Sequence, residues 1–431
     1  MSRQEIYALV DINNCYVSCE CFFNPGLDHR PVVVLSNNDG CVVARSQEAK
    51  DLGIKMGVPL FQIQDIIEQY QVEVLSSNYP LYAEMSRRFH TILGQYVAPD
   101  EQEIYSIDES FLKLTAYTQG FDLTTYAQEI RVRIKQWIGL PVCIGIGRSK
   151  TEAKLANYMA KKAKRFDGVC NLAEMNPQHR DYFWSLIDVA EVWGVGRQHS
   201  KKLKQYGIHT VLDLAKCSPH RLAKAFSVMM QRTVMELQGQ ACIELEHTPE
   251  PKKQILASRS FGEKITELDD LKEALAKYVQ DAVRRLRAEH SLCGTVIVFV
   301  QSNPFDKHLA YYSKSLSLDL DEPTDSVTVL IRISLKILER TYKSGVMYKK
   351  CGVILTDLID KQHYIPTLFA DQEKIQSNEN LMQAYEQIQQ KYGKRKIAVG
   401  ACYLPDRKWS ARQASLSRDY FSWDGLLRIK K

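Results

Sequence analysis

A row of alanines on one predicted helix is the sequence feature that most restricts how this chain folds. The apolar run from Val142 to Gly147 predicts a strand, and the helix after it begins at a capping box, Ser149-Lys-Thr-Glu152. Small side chains recur along one face of this helix at Ala153, Ala156, Ala160 and Ala163. Such a face lets a helix approach a sheet closely. We therefore predict a helix packed directly on a sheet, in an α+β domain.

Other strand patterns occur in the first part of the chain. The apolar run Ile6 to Val10 ends in Asp11, and the runs 31–35 and 41–44 predict a hairpin across a turn rich in Asn, Asp and Gly. Residues 104–114 predict a further strand, which contains Ser-Ile-Asp-Glu. These strands alternate with helical patterns, which supports a mixed fold.

The remainder of the chain changes character three times. Residues 185–240 predict helices interrupted by a Gly-x-Gly turn, and residues 244–253 are charged and broken by two prolines, as in a linker. Residues 255–356 then follow the order β-α-β-β-α-β, which predicts one helix-backed sheet. Beyond about residue 360 the chain turns polar, and we expect it to be partly disordered or ordered by a partner.

Composition excludes several classes of protein. The chain has 431 residues, 45% of them hydrophobic and 25% charged, which excludes a collagen, a coiled coil and wholesale disorder. No segment approaches the roughly 18 consecutive apolar residues of a membrane span, and the first residues lack a signal-peptide pattern, so we expect a cytoplasmic protein. Eleven cysteines without a Cys-x-x-Cys pair indicate neither a zinc ribbon nor a redox pair.

Charge is unevenly distributed. The formal net charge is only +6, but residues 391–431 contain eleven Lys and Arg against three Asp and Glu. The rest of the chain is therefore slightly acidic. Any binding of nucleic acid must depend on local patches rather than on the whole-chain charge.

Three carboxylates are the candidates for catalysis. Asp11 ends one predicted strand, and Asp108 and Glu109 lie in another. If these carboxylates converge across adjacent strands, they could bind two Mg²⁺ ions. Their spacing in the sequence also allows two structural roles: Asp11 as the cap of the following helix, and Asp108 and Glu109 as a solvated surface pair. Consecutive strand residues point to opposite faces, so the chain must turn or bulge if Asp108 and Glu109 are both to face the metals.

Longer motifs carry a family resemblance. Val10-Asp-Ile-Asn-Asn-Cys-Tyr16 and Ser106-Ile-Asp-Glu-Ser-Phe111 resemble the two palm motifs of Y-family translesion DNA polymerases. Val33 to Cys41, Leu52 to Gly57 and Val192-Trp-Gly-Val-Gly-Arg197 resemble, more narrowly, the catalytic subunits of bacterial DNA polymerase V. The resemblance runs nearly end to end.

The resemblance implies an α+β multidomain fold, a right-hand polymerase with palm, fingers, a helical thumb that carries a helix-hairpin-helix, and a βαββαβ little finger. It places the domains at 1–13 and 79–168 (palm), 14–78 (fingers), 169–240 (thumb), 241–253 (linker), 254–358 (little finger) and 359–431 (tail for partner binding). It implies an error-prone, template-directed DNA polymerase that works past damaged bases without proofreading.

The resemblance also implies functional residues. Asp11, Asp108, Glu109 and the backbone carbonyl of Ile12 would hold two Mg²⁺ ions, and Tyr16 would be the steric gate that excludes ribose. The resemblance places Gln47, Lys50 and Lys161 at triphosphate contacts. Arg45 stands where relatives have a small residue, and our hypothesis is that it restores positive charge in the same pocket. Gln47 and Lys50 stand where many relatives carry a Tyr and an Arg, so this pocket should grip phosphate differently, because lysine lacks the bidentate fork of arginine.

Contacts with DNA and partners complete the expectations. The turn residues Gly194 and Gly196, with Arg197 and Lys201, would bind the DNA backbone. The segment 364–369 resembles a sliding-clamp peptide, with Leu368 and Phe369 entering an apolar pocket. Primer-template DNA and deoxynucleoside triphosphates are the implied substrates, and an accessory dimer of the polymerase V type and a recombinase filament are the implied partners. A palm-fold nucleotide cyclase and a non-catalytic DNA-binding subunit are the alternatives.

Overall fold

The computed structural model describes residues 4–247, 251–306, 308–368, 370–393, 397–399, 409 and 412–422. The chain forms two compact units. The first is built from described residues within 1–36, 40–249 and 415–431, and the second from those within 37–39 and 250–414. The first unit contains a five-stranded and a three-stranded sheet, the second a four-stranded sheet, and each unit has its own apolar core, which confirms an α+β multidomain chain.

The described residues contain twelve strands and fourteen α-helices. The strands are β1 (Tyr7–Ile12), β2 (Val32–Leu35), β3 (Val42–Arg45), β4 (Glu73–Ser76), β5 (Gln102–Ile104), β6 (Glu109–Lys113), β7 (Val142–Gly147), β8 (Val169–Asn171), β9 (Gln254–Ile265), β10 (Ser291–Ser302), β11 (Ser313–Thr324) and β12 (Tyr348–Asp360). The helices are α1 (Cys15–Phe23), α2 (Gln47–Asp51), α3 (Gln64–Tyr70), α4 (Tyr79–Leu93), α5 (Leu123–Ile138), α6 (Lys150–Lys162), α7 (Pro177–Leu186), α8 (Arg197–Gln205), α9 (Val211–Ala215), α10 (Pro219–Ala225), α11 (Val228–Leu237), α12 (Leu268–Ala288), α13 (Val327–Thr341) and α14 (Gln372–Tyr392).

A five-stranded sheet of order β5-β6-β1-β7-β8 lies at the centre of the first unit. Strand β1 is antiparallel to both β6 and β7, and all six of its residues are buried. Alternate residues of β1 serve two cores. Ala8 and Val10 pack with α4 and α5, whereas Leu9 packs with Ala153 of α6. Asp11 shares the face of Leu9, because side chains alternate along a strand. This alternation directs Asp11 towards α6.

Helix α6 packs on this sheet as its alanines predict. Ala153, Ala156 and Ala160 are buried, and a Cβ atom on Gly145 of β7 would lie 2.0 Å from the backbone nitrogen of Asn157. The helix and the strand therefore approach as closely as their backbones allow. Two details differ from the prediction. The helix ends at Lys162, and Glu152 accepts a hydrogen bond from the backbone N–H of Arg148 rather than from Ser149.

A further difference concerns the strand predicted over residues 104–114. The structure has two short antiparallel strands there, β5 and β6, joined by a turn over residues 105–108. Backbone hydrogen bonds from Tyr105 and Ser106 to the carbonyl of Glu109 close this turn. Propensity favoured a continuous strand, and the tertiary pairing of the two halves overrode it.

The remaining parts of the first unit follow their patterns. Strands β2 and β3 form the predicted hairpin, and β4 joins β2 in parallel to make a three-stranded sheet. The four helices α8 to α11 and the last residues of α7 confirm the helical prediction for residues 185–240, with a short 3-10 turn at 189–191 before the Gly-x-Gly segment.

The second unit has the predicted β-α-β-β-α-β order, from β9 to β12, and its sheet has the antiparallel order β11-β10-β12-β9. The expectation of disorder beyond residue 360 was wrong for residues 372–392, which form α14. This helix packs on the unit through the buried Met382, and Arg287 of α12 pairs with Glu386 of α14. In the part of the chain that the structure describes, no helix combines the length and apolarity that crossing a bilayer requires.

Candidate active site

Two carboxylates face each other across neighbouring strands. Asp11 near the end of β1 is the cross-strand partner of Glu109 at the start of β6. Directly opposed residues of an antiparallel pair share one face, with Cβ atoms about 5 Å apart. Asp11 is also only 7% exposed. The strand register alone therefore brings together two acidic groups that are distant in sequence.

The third carboxylate lies at the end of the turn that precedes β6. The N–H of Ile12 donates to the carbonyl oxygen of Asp108 over 2.9 Å, which ties this turn to the end of β1. The hydroxyl of Ser106 donates to Asp108 Oδ1 over 2.7 Å. Because Asp108 stands in the turn and Glu109 in the strand, the alternation of strand side chains does not force these two carboxylates apart.

Two lysines of α6 are the partners of these carboxylates. Lys161 Nζ lies 2.6 Å from Asp11 Oδ2, and Lys154 Nζ lies 2.9 Å from Glu109 Oε2. The two lysines are two helical turns apart, so they share one face of the helix. Sequence reasoning missed Lys154. Residues 148–165 contain seven basic residues against one acidic residue, but only the packing of α6 on the sheet shows which of them face the carboxylates.

The donor set fits a divalent cation. Burial, only partly offset by the charge and hydrogen bond of Lys161 and reinforced by the carboxylates of Glu109 and Asp108, raises the pKa of Asp11 to about 7. A buried carboxylate with acidic neighbours gains most from a nearby cation, and carboxylate oxygens are the ligands that Mg²⁺ prefers. Among the described residues, no three His, Cys, Asp or Glu side chains are already gathered in metal-binding geometry. Two of the three carboxylates instead form ion pairs with Lys161 and Lys154.

Tyr16 lies on the first turn of α1, directly after β1. The chain reverses there through Asn14, whose φ of 50° is a left-handed conformation that asparagine tolerates better than most residues. The Tyr16 ring is half-buried and stacks on the ring of Tyr82, with centroids 4.3 Å apart and an interplanar angle of 10°. Burial, with Tyr79, Cys15 and Asp108 nearby, raises the pKa of Tyr16.

Three of the predicted triphosphate contacts are close to one another. Burial lowers the pKa of Lys50, and Arg45 and Lys161 lower it further through repulsion between like charges. Arg45 donates from Nη1 to the carbonyl of Ile54 over 2.6 Å, while its buried Nε has no hydrogen-bond partner among the described residues. The positive charges of Lys50, Arg45 and Lys161, with the N–H of Arg45 Nε, are groups of the kind that bind a phosphate. Gln47 is exposed and bonds to Asp51 instead.

The Gly-x-Gly turn leads into α8. Gly194 has φ of +84°, which glycine adopts without strain, and Gly196 is the residue preceding the helix. Arg197 and Lys201 are exposed on α8 and form no ion pair with the described residues. Lys204 differs, because it pairs with Asp188 over 2.7 Å. The side chains of Arg197 and Lys201 are therefore available to an external anion.

The predicted clamp peptide is only partly described. The Leu368 side chain is fully exposed, and Phe369 lies outside the described residues. Tyr364, at the start of the same segment, hydrogen-bonds to Glu322 of β11.

Comparison with known proteins identifies related chains. Residues 10–158 match the impB/mucB/samB family, residues 252–368 match the C-terminal domain of that family, and residues 379–429 match a domain of unknown function (DUF4113). Protein UmuC of Salmonella typhimurium is 40% identical over 99% of this chain and 100% of its own length. Protein SamB of Salmonella typhimurium is 39% identical over 96% of this chain and 97% of its own length. DNA polymerase IV 1 of Bacillus subtilis is 26% identical over 97% and 98% of the two chains.

Solved structures share the fold. A Y-family DNA polymerase chimera built on Dbh superposes with a TM-score of 0.62 at 20% identity, covering 82% of this chain and 99% of its own. The architecture is thus that of a Y-family polymerase, with palm, fingers, thumb and little finger. At 40% identity over nearly the whole of both sequences, the relationship to UmuC extends far beyond a shared fold. The chain therefore belongs to the impB/mucB/samB family.

Proposed function

We propose that this chain extends primers past damaged template bases by metal-dependent nucleotidyl transfer at Asp11, Asp108 and Glu109. The family and its polymerase relatives make the chain a Y-family, DNA-directed DNA polymerase and an error-prone translesion enzyme. The observation that carries the assignment of residues is the Asp11–Glu109 cross-strand pair, with Lys161 and Lys154 of α6 directed at it.

The reaction joins the primer to a nucleotide. The 3′-hydroxyl oxygen attacks the α-phosphorus, the bond to the bridging oxygen breaks so that pyrophosphate leaves, and the hydroxyl proton passes to solvent water. Two Mg²⁺ ions, held by Asp11, Asp108, Glu109 and the carbonyl of Ile12, would supply charge neutralisation and an activated hydroxyl. The protein contributes mainly position, because a bound pair of reactants no longer loses translational freedom at the reacting step.

The remaining residues bind the nucleotide. Lys161 and Lys50, with the Nε of Arg45, face the triphosphate, and Lys161 exchanges Asp11 for phosphate when the substrate arrives. Gln47 contributes a neutral contact at the rim of this pocket. Tyr16 abuts C2′ of the incoming sugar, so a ribose hydroxyl collides with its ring.

DNA and partner proteins contact other surfaces. Gly194, Gly196, Arg197 and Lys201 bind the phosphates of the primer-template duplex, which fixes the register without reading sequence. Leu368 and Phe369 dock on a sliding clamp. A processed accessory dimer of the polymerase V type and a recombinase filament are further partners, and the work takes place in the cytoplasm. Neither a nucleotide cyclase nor a non-catalytic subunit is favoured by the family relationship.

Primer extension across an abasic site tests the proposal, with and without accessory dimer and recombinase filament. Asp11→Asn, Asp108→Asn and Glu109→Gln should each slow extension by about a hundredfold or more, because charge stabilisation at the reacting phosphate is the largest contribution to such catalysis. Asp100→Asn, at an exposed acidic position, is the matched control. Extension by Asp108→Asn at the rate of the unaltered chain would contradict the metal role.

A further inference from the structure

A returning segment of the chain, residues 415–422, packs against the rest of the first unit. The N–H of Ser76 at the end of β4 donates to the carbonyl of Ser415 over 2.9 Å, and the N–H of Ser415 donates to the Ser76 hydroxyl over 3.1 Å. Asn78 Nδ2 donates to the Ser417 hydroxyl over 2.8 Å and to the carbonyl of Arg418 over 3.2 Å. These polar contacts fix the position of Ser417 beside the start of α4.

Aromatic contacts anchor the other end of the segment. The Tyr420 ring stacks on Phe23 of α1, with centroids 4.5 Å apart, and Phe421 meets the same ring edge-on at 5.5 Å. The Arg88 guanidinium of α4 lies 5.1 Å from the centre of the Phe421 ring. Aromatic pairs and cation–π contacts of this kind add stability beyond that of simple burial. The segment is therefore held at one end by β4 and the residue that precedes α4, and at the other end by α1 and α4.

A buried carboxylate lies between these anchors. Glu20 of α1 is 1% exposed and forms no ion pair with the described residues. Its Oε1 accepts a hydrogen bond from Tyr82 Oη over 2.7 Å and another from Ser417 Oγ over 3.0 Å. Burial raises the pKa of Glu20, and these two hydrogen bonds lower it. A buried carboxylate without a cation depends on such donors, because each lost donor leaves a desolvated acceptor.

Tyr82 connects this carboxylate to the sugar side of the pocket. Its side chain is fully buried, and its ring is the one on which Tyr16 stacks. Tyr79 closes the group with edge-on contacts at 6.1 Å to Tyr16 and 6.2 Å to Tyr82. The hydrogen bond from Tyr82 Oη to Glu20 fixes the outer end of the Tyr82 ring, and its complete burial together with the edge-on contact of Tyr79 limits rotation of the ring about its long axis.

We propose that Ser417, Glu20 and Tyr82 are positioning residues for Tyr16, so that the returning segment sets the discrimination between deoxyribonucleotides and ribonucleotides. The inference rests on the proposed role of Tyr16. A steric gate works only if its ring stays in place when a ribose hydroxyl presses against it. The hydrogen bonds from Ser417 and Tyr82 to Glu20 resist that displacement, and none of the three side chains needs to touch the nucleotide.

The test is the ratio of kcat/KM for a deoxyribonucleotide to that for the matching ribonucleotide, measured on the full-length chain. Ser417→Ala and Tyr82→Phe should each lower this ratio about three- to tenfold, the loss expected for one hydrogen bond, with deoxyribonucleotide incorporation changed by less than about twofold. Ser417→Thr keeps the hydroxyl and should keep the ratio. Leu416→Ala removes an exposed side chain of the same segment and is the matched control.

A double variant tests whether Ser417 and Tyr82 act on Tyr16 through the same path or independently. Because Ser417 and Tyr82 both act through Glu20, Ser417→Ala with Tyr82→Phe should lower the ratio no more than about twofold beyond the larger single effect. If the double variant instead lowers the ratio by the product of the two single factors, the two residues act independently and the proposed connection is wrong. Thermal unfolding of each variant shows that the chain is folded at the assay temperature.

Tyr16→Ala distinguishes the two levels of the proposal. If Tyr16→Ala lowers the ratio strongly while Ser417→Ala and Tyr82→Phe leave it unchanged, the inference is wrong and the role of Tyr16 stands. If Tyr16→Ala leaves the ratio unchanged, the gate itself is wrong, and the inference falls with it. If the unaltered chain extends no primer at all, the proposed function itself is wrong.

Discussion

Lys161 Nζ lies 2.6 Å from Asp11 Oδ2, although the two residues belong to different elements, the last turn of α6 and the end of β1. The lysine neutralises a carboxylate that is almost fully buried. Its side chain is 35% exposed, so it retains access to the solvent side of the site. A flexible ammonium in this position can leave the carboxylate for an incoming phosphate.

The first prediction concerns this lysine. Lys161→Met should raise the KM for the incoming nucleotide about ten- to a hundredfold with a smaller change in kcat, because a charge-assisted hydrogen bond to phosphate is lost. Steady-state primer extension with varied nucleotide concentration measures both constants. Lys162→Met is the matched control, since Lys162 is exposed and directed at the ring of Tyr158. Equal effects of the two substitutions would argue for a general loss of charge.

The second prediction concerns the contact between β7 and α6. Gly145→Ala would place a methyl group 2.0 Å from the backbone nitrogen of Asn157, so α6 must move and carry Lys154 and Lys161 with it. We expect a loss of about 2–4 kcal/mol in the free energy of unfolding, measured by urea denaturation. Gly120→Ala has open space around it and an ordinary φ, and should change stability by less than about 0.5 kcal/mol.

The third prediction concerns the cationic face of α8. Arg197→Ala and Lys201→Ala should each weaken binding to primer-template duplexes to a similar extent for any sequence, and should reduce the salt dependence of log K by about 0.9 each. Fluorescence anisotropy across a range of salt concentrations measures the slope. Lys204→Ala should leave the slope nearly unchanged, because this lysine is paired with Asp188. If Arg197→Ala and Lys201→Ala have the same slope of log K against log salt concentration as the unaltered chain, α8 does not contact DNA.

The fourth prediction concerns the attachment of α14. Burial raises the pKa of Glu379, but hydrogen bonds and charges from Lys361 and Arg287 lower it to about 2, below its ordinary value of 4.5. A depressed carboxyl pKa stabilises the fold above pH 4.5, and this contribution is lost as the pH falls from 4.5 towards 2. Glu379→Gln should therefore be less stable than the unaltered chain at pH 7 and equal to it near pH 2.

Urea unfolding of the two proteins across this pH range checks that expectation. Glu373→Gln, at an exposed position in the first turn of the same helix, is the matched control and should follow the unaltered chain. A constant stability difference between Glu379→Gln and the unaltered chain from pH 7 to pH 2 would show that ionisation of Glu379 does not hold α14 in place.

Local patterns were sufficient where one element buries one face. The alanines of α6 predicted a helix against a sheet, and the β-α-β-β-α-β order of residues 255–356 was confirmed element by element. Patterns failed where pairing between distant or folded-back segments decided the structure. The turn at 105–108 and the docked helix α14 are the two clear cases. The N–H of Ile12 in β1 donates to the carbonyl of Asp108 in the turn, and Met382 of α14 packs into the core of the second unit.

The sequence by itself identified the family and singled out Asp11, Asp108 and Glu109 as the candidate catalytic carboxylates. The motifs Val10 to Tyr16 and Ser106 to Phe111 are contiguous, so they are recognised without coordinates. Only the tertiary structure decided that Lys154 faces Glu109, and that Ser417 reaches a carboxylate beside Tyr82. The physical reason is that strand register and helix packing set distances between residues far apart in the chain. A side chain's partner is chosen by those distances and not by its neighbours in sequence.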